Sequence, residues 1–270
     1  MSGPELSPAA RERLVGRLRA AGCVYAEAEA GVLLAAATDP AELDRLVARR
    51  VRGAPLEQVV GWADFAGVRV RMEPGVFVPR RRSELLVAEA AARAARRGPP
   101  ATVVDLCCGS GAIAAAIAAR VSGCALHAAD IDPAAVRCAR RNLAPLGARV
   151  HRGDLYAALP GHLRGRVDVL VANVPYVPTD ELPLLPAEAR RYEPRAALDG
   201  GPDGLALLRR VAAGARAWLA AGGTLLMETS AAQAGAAAAV LREAGLAAQV
   251  RRRPALAATV VAGRAPGRPG

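Results

Sequence analysis

The sequence contains no lysine and very few aromatic residues. Aromatic residues make up 3% of the 270 residues, so a hydrophobic core must be built from alanine, valine and leucine. The formal net charge of +11 comes entirely from arginine, which occurs in short groups along the chain rather than in one segment. This distribution favours an ordinary solvated surface, and it leaves nucleic acid open as a partner.

Cysteine and histidine are also too few, and wrongly spaced, for two common kinds of site. An odd number of cysteines, the absence of a C-x-x-C pair and only three histidines argue against a disulfide framework and a zinc site. No apolar run approaches the ~20 residues that span a membrane, and no signal-peptide pattern is found at the start. We therefore expect a cytoplasmic protein with no metal and no membrane partner.

The first part of the chain predicts helices followed by a short hairpin. Leucine and valine recur at spacings of three and four up to about Arg52, which is typical of amphipathic helices, so residues 1–58 are predicted to form an N-terminal helical domain. Residues 59–82 alternate polar and apolar side chains and are interrupted by glycine. This pattern predicts two short strands, which we interpret as a β-hairpin linker.

From residue 83 onward, predicted strands and helices alternate. Ser83 is a candidate N-cap for the first helix, and buried strands such as "ATVVDLCC" and "RVDVLVAN" alternate with alanine-rich helices. This rhythm predicts an α/β fold with a doubly wound parallel sheet over residues 83–264. The last two strands have no helix between them and predict an antiparallel pair. Residues 265–270 are predicted to be a disordered tail.

The segment "VVDLCCGSGAIA" places Gly109 and Gly111 between a strand and a helix. Glycine lets the backbone approach a ligand closely, and the helix amino terminus offers free amide groups. Asp130 ends the next strand, where a carboxylate can accept both hydroxyl groups of a ribose. Asp132 precedes Pro133 and is predicted to cap the following helix, which leaves Asp130 for a nucleoside cofactor.

Two nucleoside cofactors fit this pattern. Gly109, Gly111 and Ala114 have the spacing of an NAD-binding loop. Asp105 favours S-adenosylmethionine, because a carboxylate before the loop could face a cationic amino group but would repel a pyrophosphate. Asp154 follows the third strand and could accept a hydrogen bond from an adenine amino group, although a plain turn residue is an alternative interpretation.

The segment "VDVLVANVPYVPTD" ends a buried strand on Asn173. The side-chain carbonyl of Asn173 and the backbone carbonyl of Val174 could together accept two hydrogen bonds from a planar NH2 group. Pro175 restricts Val174 to an extended conformation, and Tyr176 supplies a flat face. Such a clamp would position the nitrogen for methyl transfer. The alternative is a simple turn at the end of the strand.

Several motifs together resemble one family. The segments "PLEQVVGWADFAGVRVRMEPGVFVPRRRSE", "VVDLCCGSGAIA", "ADIDPAAVRCARRN", "GDLY", "NVPY" and "YEPRAALDGGPDGL" occur in the order typical of HemK-type protein-(glutamine-N5) methyltransferases. The resemblance implies a class I S-adenosylmethionine-dependent methyltransferase fold, Rossmann-like, with a mostly parallel seven-stranded sheet. It further implies methylation of a glutamine side-chain amide in a protein, which in that family is a peptide chain release factor.

The resemblance also implies roles for individual residues. Asn173 and Tyr176 would be catalytic, and Asn173 would also border the cofactor. The substrate amide would lie against Asn173, Val174, Pro175 and Tyr176, with Phe77 and Pro79 as walls. The cofactor would be bound by Asp105, Cys107, Cys108, Gly109, Ser110, Gly111, Asp130, Asp154 and Leu155.

The sequence departs from the family pattern at three points. The usual P-R-P-E-T-E segment is "PRRRSE", which replaces one acid with arginine in the group Arg80–Arg82. Val174 replaces the first proline of the N-P-P-Y motif, but the backbone carbonyl is retained. Cys107 replaces the first glycine of the cofactor loop.

Other functions remain open on the sequence alone. The same clamp would suit an exocyclic amino group in nucleic acid, as in N6-adenine methylation, and the arginine content agrees with that. A non-catalytic S-adenosylmethionine-binding module is a third interpretation. An NAD-dependent oxidoreductase is disfavoured because no side chain is suited to assist hydride transfer.

Overall fold

The computed structural model describes residue 4 and residues 6–267, and its first part is a small helical unit. Ser7 and Asp39 cap the first and third helices, since their side-chain oxygens accept hydrogen bonds from Ala10 N and Glu42 N. Leu18 and Leu33 are fully buried between the helices. The helices are α1 (Pro8–Ala20), α2 (Ala26–Ala36), α3 (Pro40–Val51) and α4 (Leu56–Val60).

The predicted hairpin follows directly. Strands β1 (Trp62–Phe65) and β2 (Val68–Arg71) pair antiparallel around Ala66 and Gly67, both of which have positive φ. Asn142 joins the hairpin to the large domain, because its Oδ1 accepts from Arg71 N at 2.8 Å and its Nδ2 donates to Arg71 O at 3.0 Å. The hairpin is therefore bound to the large domain rather than standing free.

The remaining elements form a sheet with helices on both faces. The sheet has seven strands in the order β5-β4-β3-β6-β7-β9-β8, and β9 runs antiparallel to both of its neighbours. The other neighbouring pairs are parallel, which confirms the predicted fold class and the antiparallel final pair. The helices are α5 (Glu84–Arg97), α6 (Ala112–Ala118), α7 (Pro133–Leu143), α8 (Ala187–Tyr192), α9 (Ala206–Trp218) and α10 (Ala234–Glu243). The strands are β3 (Thr102–Leu106), β4 (Ala125–Asp130), β5 (Arg149–Arg152), β6 (Val167–Ala172), β7 (Leu219–Thr229), β8 (Ala247–Arg253) and β9 (Ala258–Arg264).

Two apolar cores lie on opposite faces of this sheet. One core packs α5, α6 and α7 against it, and the other packs α9 and α10. The chain leaves β3 toward β4 on one side and reaches β6 on the other, so the strand order reverses between β3 and β6. In open α/β sheets, such a reversal creates a crevice at the carboxyl ends of the strands, where ligands bind.

Arg50 connects the helical unit to the large domain. Its guanidinium donates to both carboxylate oxygens of Glu29 on α2, at 2.5 and 3.1 Å, and to Glu188 Oε2 on α8 at 2.9 Å. The Arg50 and Glu29 side chains are each only 12% exposed. Burial opposes the charge, but the two carboxylates hold the pKa of Arg50 above its usual value. This buried triad joins α2, α3 and α8.

Two local predictions differ from the structure. Ser83 precedes α5, but its side chain makes no capping hydrogen bond; its hydroxyl instead accepts a hydrogen bond from Asn173 Nδ2 at 3.4 Å. In the predicted tail, Ala265 N donates to Gly223 O and Pro266 O accepts from Gly222 N, so these two residues extend the contacts of β9. Residues 268–270 of the tail, and residues 1–3 and 5 of the predicted helical domain, lie outside the described residues.

Within the described part of the chain, no helix is both long and apolar enough to cross a membrane. The same residues bring together no group of three or more His, Cys, Asp and Glu side chains suited to holding a metal ion.

Candidate functional site

A cavity of about 160 Å³ opens at the carboxyl ends of β3, β4 and β6. Most of the residues that the sequence singled out meet here, although they come from four separate segments of the chain. The predicted residues that line it are Phe77, Pro79, Cys107, Cys108, Gly109, Ser110, Asp130, Asn173, Val174, Pro175 and Tyr176.

The loop between β3 and α6 forms one wall. Gly109 has a φ of +55°, and a Cβ added there would meet nothing within 4 Å, so the loop leaves open space at this point. Gly111 has a different role, because a Cβ at this position would lie 2.9 Å from Leu143 Cδ1. The absence of a side chain at Gly111 thus lets the loop pack against α7. Gly111 does not line the cavity. Cys107 has a φ of 56°, a left-handed conformation that costs a non-glycine residue about 1–3 kcal/mol.

Asp130 organises this loop at the end of β4. Its Oδ2 accepts from Gly109 N and its Oδ1 from Asp132 N, each at 2.9 Å. Asp132 caps α7 through Ala134 N at 2.7 Å, as predicted. Burial raises the pKa of Asp130, while the two amide hydrogen bonds oppose that rise. A carboxylate has about four acceptor positions, so Asp130 retains capacity for two hydroxyl groups.

Asp105 lies beneath the loop instead of lining the cavity, which corrects the expectation that it faces a ligand directly. It is fully buried, its Oδ2 accepts from Ala114 N at 3.2 Å, and its Oδ1 has no partner in the part of the chain that the structure describes. Burial raises its pKa from 3.8 to about 8, with the charge of Asp130 adding to the rise. Its position at the end of β3 was predicted correctly, but the following loop covers it.

The raised pKa predicts a specific pH dependence of stability. In the unfolded chain Asp105 ionises near pH 3.8, whereas in the folded chain it keeps its proton up to about pH 8. Stability from this group is therefore complete below pH 3.8 and is lost as the pH rises through that window, by up to about 1.4 kcal/mol per pH unit. We expect Asp105→Asn to remove this slope between pH 5 and pH 8.

Urea unfolding of both proteins across that pH range measures the effect. The stability of the Asp105→Asn variant relative to the parent protein should increase steadily with pH. Two parallel profiles would show that Asp105 ionises normally in the folded protein.

Asp154 and Leu155 also lie outside the cavity wall. Asp154 is exposed, and its carboxylate pairs with Arg210 on α9 at 2.6 Å. Leu155 has a φ of 47° and packs into the core on the α9 side of the sheet. The turn interpretation of Asp154 agrees with this placement, since its carboxylate is bound to Arg210. A direct contact between Asp154 and adenine stays a prediction.

Asn173 and Val174 present acceptors at the end of β6. The Asn173 amide nitrogen donates a hydrogen bond to Ser83 Oγ at 3.4 Å. This bond fixes the orientation of the planar side-chain amide. Within the described residues, neither Asn173 Oδ1 nor the Val174 carbonyl accepts a hydrogen bond. Both residues line the cavity, so two acceptors are available at one point of its wall.

Tyr176 is held by residues that the sequence analysis missed. Its hydroxyl donates to Glu228 Oε1 at 2.8 Å, and Arg82 Nε donates to the same oxygen at 3.1 Å. Gln233 Nε2 donates to the Tyr176 carbonyl at 2.9 Å. The Glu228 side chain is 2% exposed and its Oε2 has no partner, so a buried carboxylate fixes the phenol. Burial, followed by the charge of Glu228, raises the pKa of Tyr176, which keeps it protonated.

The segment "YEPRAALDGGPDGL" packs against the same tyrosine. A Cβ on Gly200 would lie 2.8 Å from Tyr176 Cα, and one on Gly204 would lie 2.3 Å from the Tyr176 carbonyl oxygen. Only glycine permits this approach, and Gly204 also has a φ of +73°. The two glycines therefore fix the backbone that follows Pro175.

The three arginines of the group Arg80–Arg82 make different contacts. Arg80 donates to both carboxylate oxygens of Glu193, each at 2.7 Å, and Glu193 also accepts from Val78 N. Arg82 pairs with Glu228, while Arg81 is exposed. Two of the three arginines thus anchor buried carboxylates beside the cavity.

Two further residues at the site were missed. Ile131 follows Asp130, lines the cavity and is 62% exposed. The sequence offered one signal for it, a branched apolar residue directly after Asp130. Asn142 Nδ2 donates to Ser110 O at 2.9 Å, so the residue that binds the hairpin also fixes the glycine loop. Burial raises the pKa of the Cys107 and Cys108 thiols, which makes them poor nucleophiles.

Residues 67–183 match the family described as "Methyltransferase small domain". A release factor glutamine methyltransferase from Geobacter sulfurreducens is 40% identical over 191 residues, which are 70% of this chain and 65% of that protein. A protein of the same name from Bordetella pertussis is 41% identical over 222 residues, 79% of this chain and 81% of the relative. A 4-amino-L-phenylalanine/4-methylamino-L-phenylalanine methyltransferase from Streptomyces pristinaespiralis is 36% identical over 264 residues, 90% of this chain and 89% of the relative.

Proposed function

The chain belongs to the release factor glutamine methyltransferase family and is an S-adenosylmethionine-dependent methyltransferase; from this premise we propose that it methylates the side-chain amide nitrogen of a glutamine in a protein. The observation that carries the proposal is a pair of acceptors, Asn173 Oδ1 and the Val174 carbonyl, that have no hydrogen-bond donor among the described residues and share one cavity with the glycine loop. A peptide chain release factor is the first candidate substrate, since two of the relatives described above are named release factor glutamine methyltransferases.

The cofactor half of the cavity is formed by residues on two strands. S-adenosylmethionine supplies an electrophilic methyl group on a sulfonium centre. The open space beside Gly109 leaves room for a bulky ligand against the loop. Asp130 has the remaining acceptor capacity for ribose hydroxyls, and Ile131 supplies an apolar surface next to it.

The substrate half is the clamp at the end of β6. Asn173 Oδ1 and the Val174 carbonyl would each accept one hydrogen from the substrate NH2 group, which orients the nitrogen and excludes other rotations of the amide. As positive charge develops on that nitrogen, the two carbonyl dipoles stabilise it more strongly than in the ground state. No general base is needed for the transfer itself, because the methylated amide loses a proton readily.

The supporting residues keep this clamp rigid. Tyr176 is fixed at its hydroxyl by Glu228 and at its carbonyl by Gln233, so its ring keeps one orientation. Ser83 restrains the Asn173 amide from the opposite side. A clamp built from fixed groups does not have to reorganise when the substrate arrives, which is the source of its catalytic advantage.

An aromatic amine is a second candidate substrate. The relative from Streptomyces pristinaespiralis is named for an amino-phenylalanine and matches nearly the whole chain. Phe77 and Tyr176 line the cavity and supply aromatic surface on two sides. An aniline NH2 presents two hydrogens in one plane, as a glutamine amide does, so both substrates would suit the same acceptors.

A methylation assay separates these substrates. We expect isotope-labelled S-adenosylmethionine to label a bacterial release factor on the glutamine of its Gly-Gly-Gln loop, as located by mass spectrometry, and a Gln→Ala release factor to stay unlabelled. Labelling of 4-amino-L-phenylalanine with none of the release factor would overturn the proposal in favour of the aromatic amine. Labelling of an RNA or DNA oligonucleotide alone would overturn both.

A further inference from the structure

A second cavity, of about 360 Å³, lies at the amino ends of strands β3, β4 and β5. The methyltransferase site lies at the carboxyl ends of the strands, at the opposite edge of the sheet. We propose that it binds an oxyanion of the phosphate class. Its wall includes the first residue of β3, Thr102, and the first residue of β5, Arg149. Arg166, which immediately precedes β6, and His162 complete the polar part of the wall, together with His127 on β4.

All three histidines of the chain converge at this cavity. His127 is 5% exposed, and its Nδ1 lies 3.1 Å from Nε2 of His151 on β5, with the two rings stacked 5.4 Å apart. The ring of His162 meets that of His127 edge-on at 6.4 Å. When His151 donates to His127 Nδ1, His127 carries its own proton on Nε2. The buried ring at the cavity wall is then a hydrogen-bond donor.

The charges around the cavity have one sign. Arg149 and Arg166 line it, neither is in an ion pair within the described residues, and no Asp or Glu belongs to the wall. The acid next to the wall is Asp168, which accepts from Thr102 N at 2.9 Å and is paired with Arg97 at 2.8 Å. The carboxylate of Asp168 is therefore already neutralised. Arginine with free donors is the preferred residue for binding phosphate oxygens.

The same charges act on the histidines. Burial, followed by the charges of His151, Arg149 and His162, lowers the pKa of His127 to about 4. Burial, Arg149, Arg140 and His162 likewise lower the pKa of His151. A bound anion would offset the repulsion among these groups and favour protonation of the rings. Binding should therefore tighten as the pH falls from neutral toward about 4, where His127 of the free protein takes up its proton.

The residues of the cavity wall also argue against a divalent metal ion as the ligand. Two histidine nitrogens 3.1 Å apart could chelate a divalent metal, but the adjacent arginines repel a cation, and the described residues provide no third ligand of the usual kind. The cavity and the methyltransferase site lie at opposite ends of the strands, so an anion here does not overlap the cofactor.

The test uses the full-length protein and its three imidazole signals in NMR spectra. Inorganic phosphate, and sulfate as a probe whose charge is constant with pH, are titrated at fixed ionic strength set with chloride. We expect saturable shifts of the His127 and His162 signals, and an apparent affinity for sulfate that rises as the pH falls from 7.5 to 5.5. The Arg149→Ala/Arg166→Ala variant should weaken binding at least about tenfold.

Arg252→Ala/Arg253→Ala is the matched control, because it removes two exposed arginines from β8, the strand at the far side of the sheet from β5. Equal weakening by this control variant, shifts that never saturate, or a response only to Zn²⁺ would each overturn the proposal. A second arm compares phosphate with a short RNA oligonucleotide. Saturation by phosphate alone identifies a small-molecule source of the oxyanion, and much tighter saturation by RNA identifies a nucleic-acid backbone.

Discussion

Asn173→Ala should lower the rate of methyl transfer by about 10³-fold, because it removes one of the two acceptors that orient the substrate nitrogen. The affinity for S-adenosylmethionine should change by less than about 0.5 kcal/mol, since the glycine loop and Asp130 are untouched. Single-turnover rates with a glutamine-containing substrate and calorimetric titration with the cofactor measure the two effects separately.

Asp130→Ala provides the contrasting result. It removes the carboxylate that accepts from Gly109 N and Asp132 N, so the cofactor affinity should fall by about 1.5–3 kcal/mol. At saturating cofactor the rate of transfer should recover much of its value. If Asn173→Ala turned over at nearly the parent rate while binding cofactor normally, the clamp at the end of β6 would not be the catalytic element.

Arg50→Met should destabilise the protein by about 3–5 kcal/mol, the typical cost of leaving a buried carboxylate without its partner. Methionine preserves much of the apolar part of the arginine side chain but leaves Glu29 and Glu188 without their ion-pair partner. The Glu29 side chain is only 12% exposed. Urea unfolding followed by circular dichroism gives the free energy of unfolding. Loss of the contact to α8 should also appear as earlier unfolding of the helical unit.

Arg17→Met is the control for that measurement. Arg17 lies 3.9 Å from Asp44 with both side chains largely exposed, and exposed pairs contribute about 0–1 kcal/mol. Similar losses of stability in the two variants would mean that the Arg50 triad has no special role in joining the helical unit to the large domain.

The sequence predicted the parts of the site that depend on the sheet alone. In a parallel sheet, the carboxyl ends of neighbouring strands meet at one edge, so Asp130 and Asn173 could be placed together from their positions after β4 and β6. Asp132 could be separated from Asp130 because a carboxylate before a proline is typical of a helix cap. These predictions need only strand order and local geometry.

Asp105 and Asp154 show where that reasoning stops. Both follow or end a strand at the same edge, yet Asp105 is covered by the loop that comes after it and Asp154 is drawn to Arg210. Whether a side chain at a strand end faces the crevice depends on the path of the next few residues and on partners far along the chain. Neither can be read from spacing.

The residues that hold the clamp depend on long-range pairing in the same way. Glu228 lies on β7 and Gln233 just before α10, yet both bind Tyr176. Glu193 pairs with Arg80, which lies 113 residues earlier in the chain. The three arginines near residue 81 looked like a solvated group, and only the fold reveals that two of them bind buried carboxylates.

Gln58 lies at the boundary between the helical unit and the rest of the chain and contacts residues on the far side of that boundary. Its Nε2 donates to the carbonyl of Val76 at 3.0 Å and to that of Tyr192 at 3.4 Å, and Val76 lines the methyltransferase cavity. Replacing the first 58 residues by those of a relative would therefore also remove a support of the cavity wall. Chimeras of this kind should be joined before α4, so that the first three helices are exchanged and Gln58 keeps its contact with Val76.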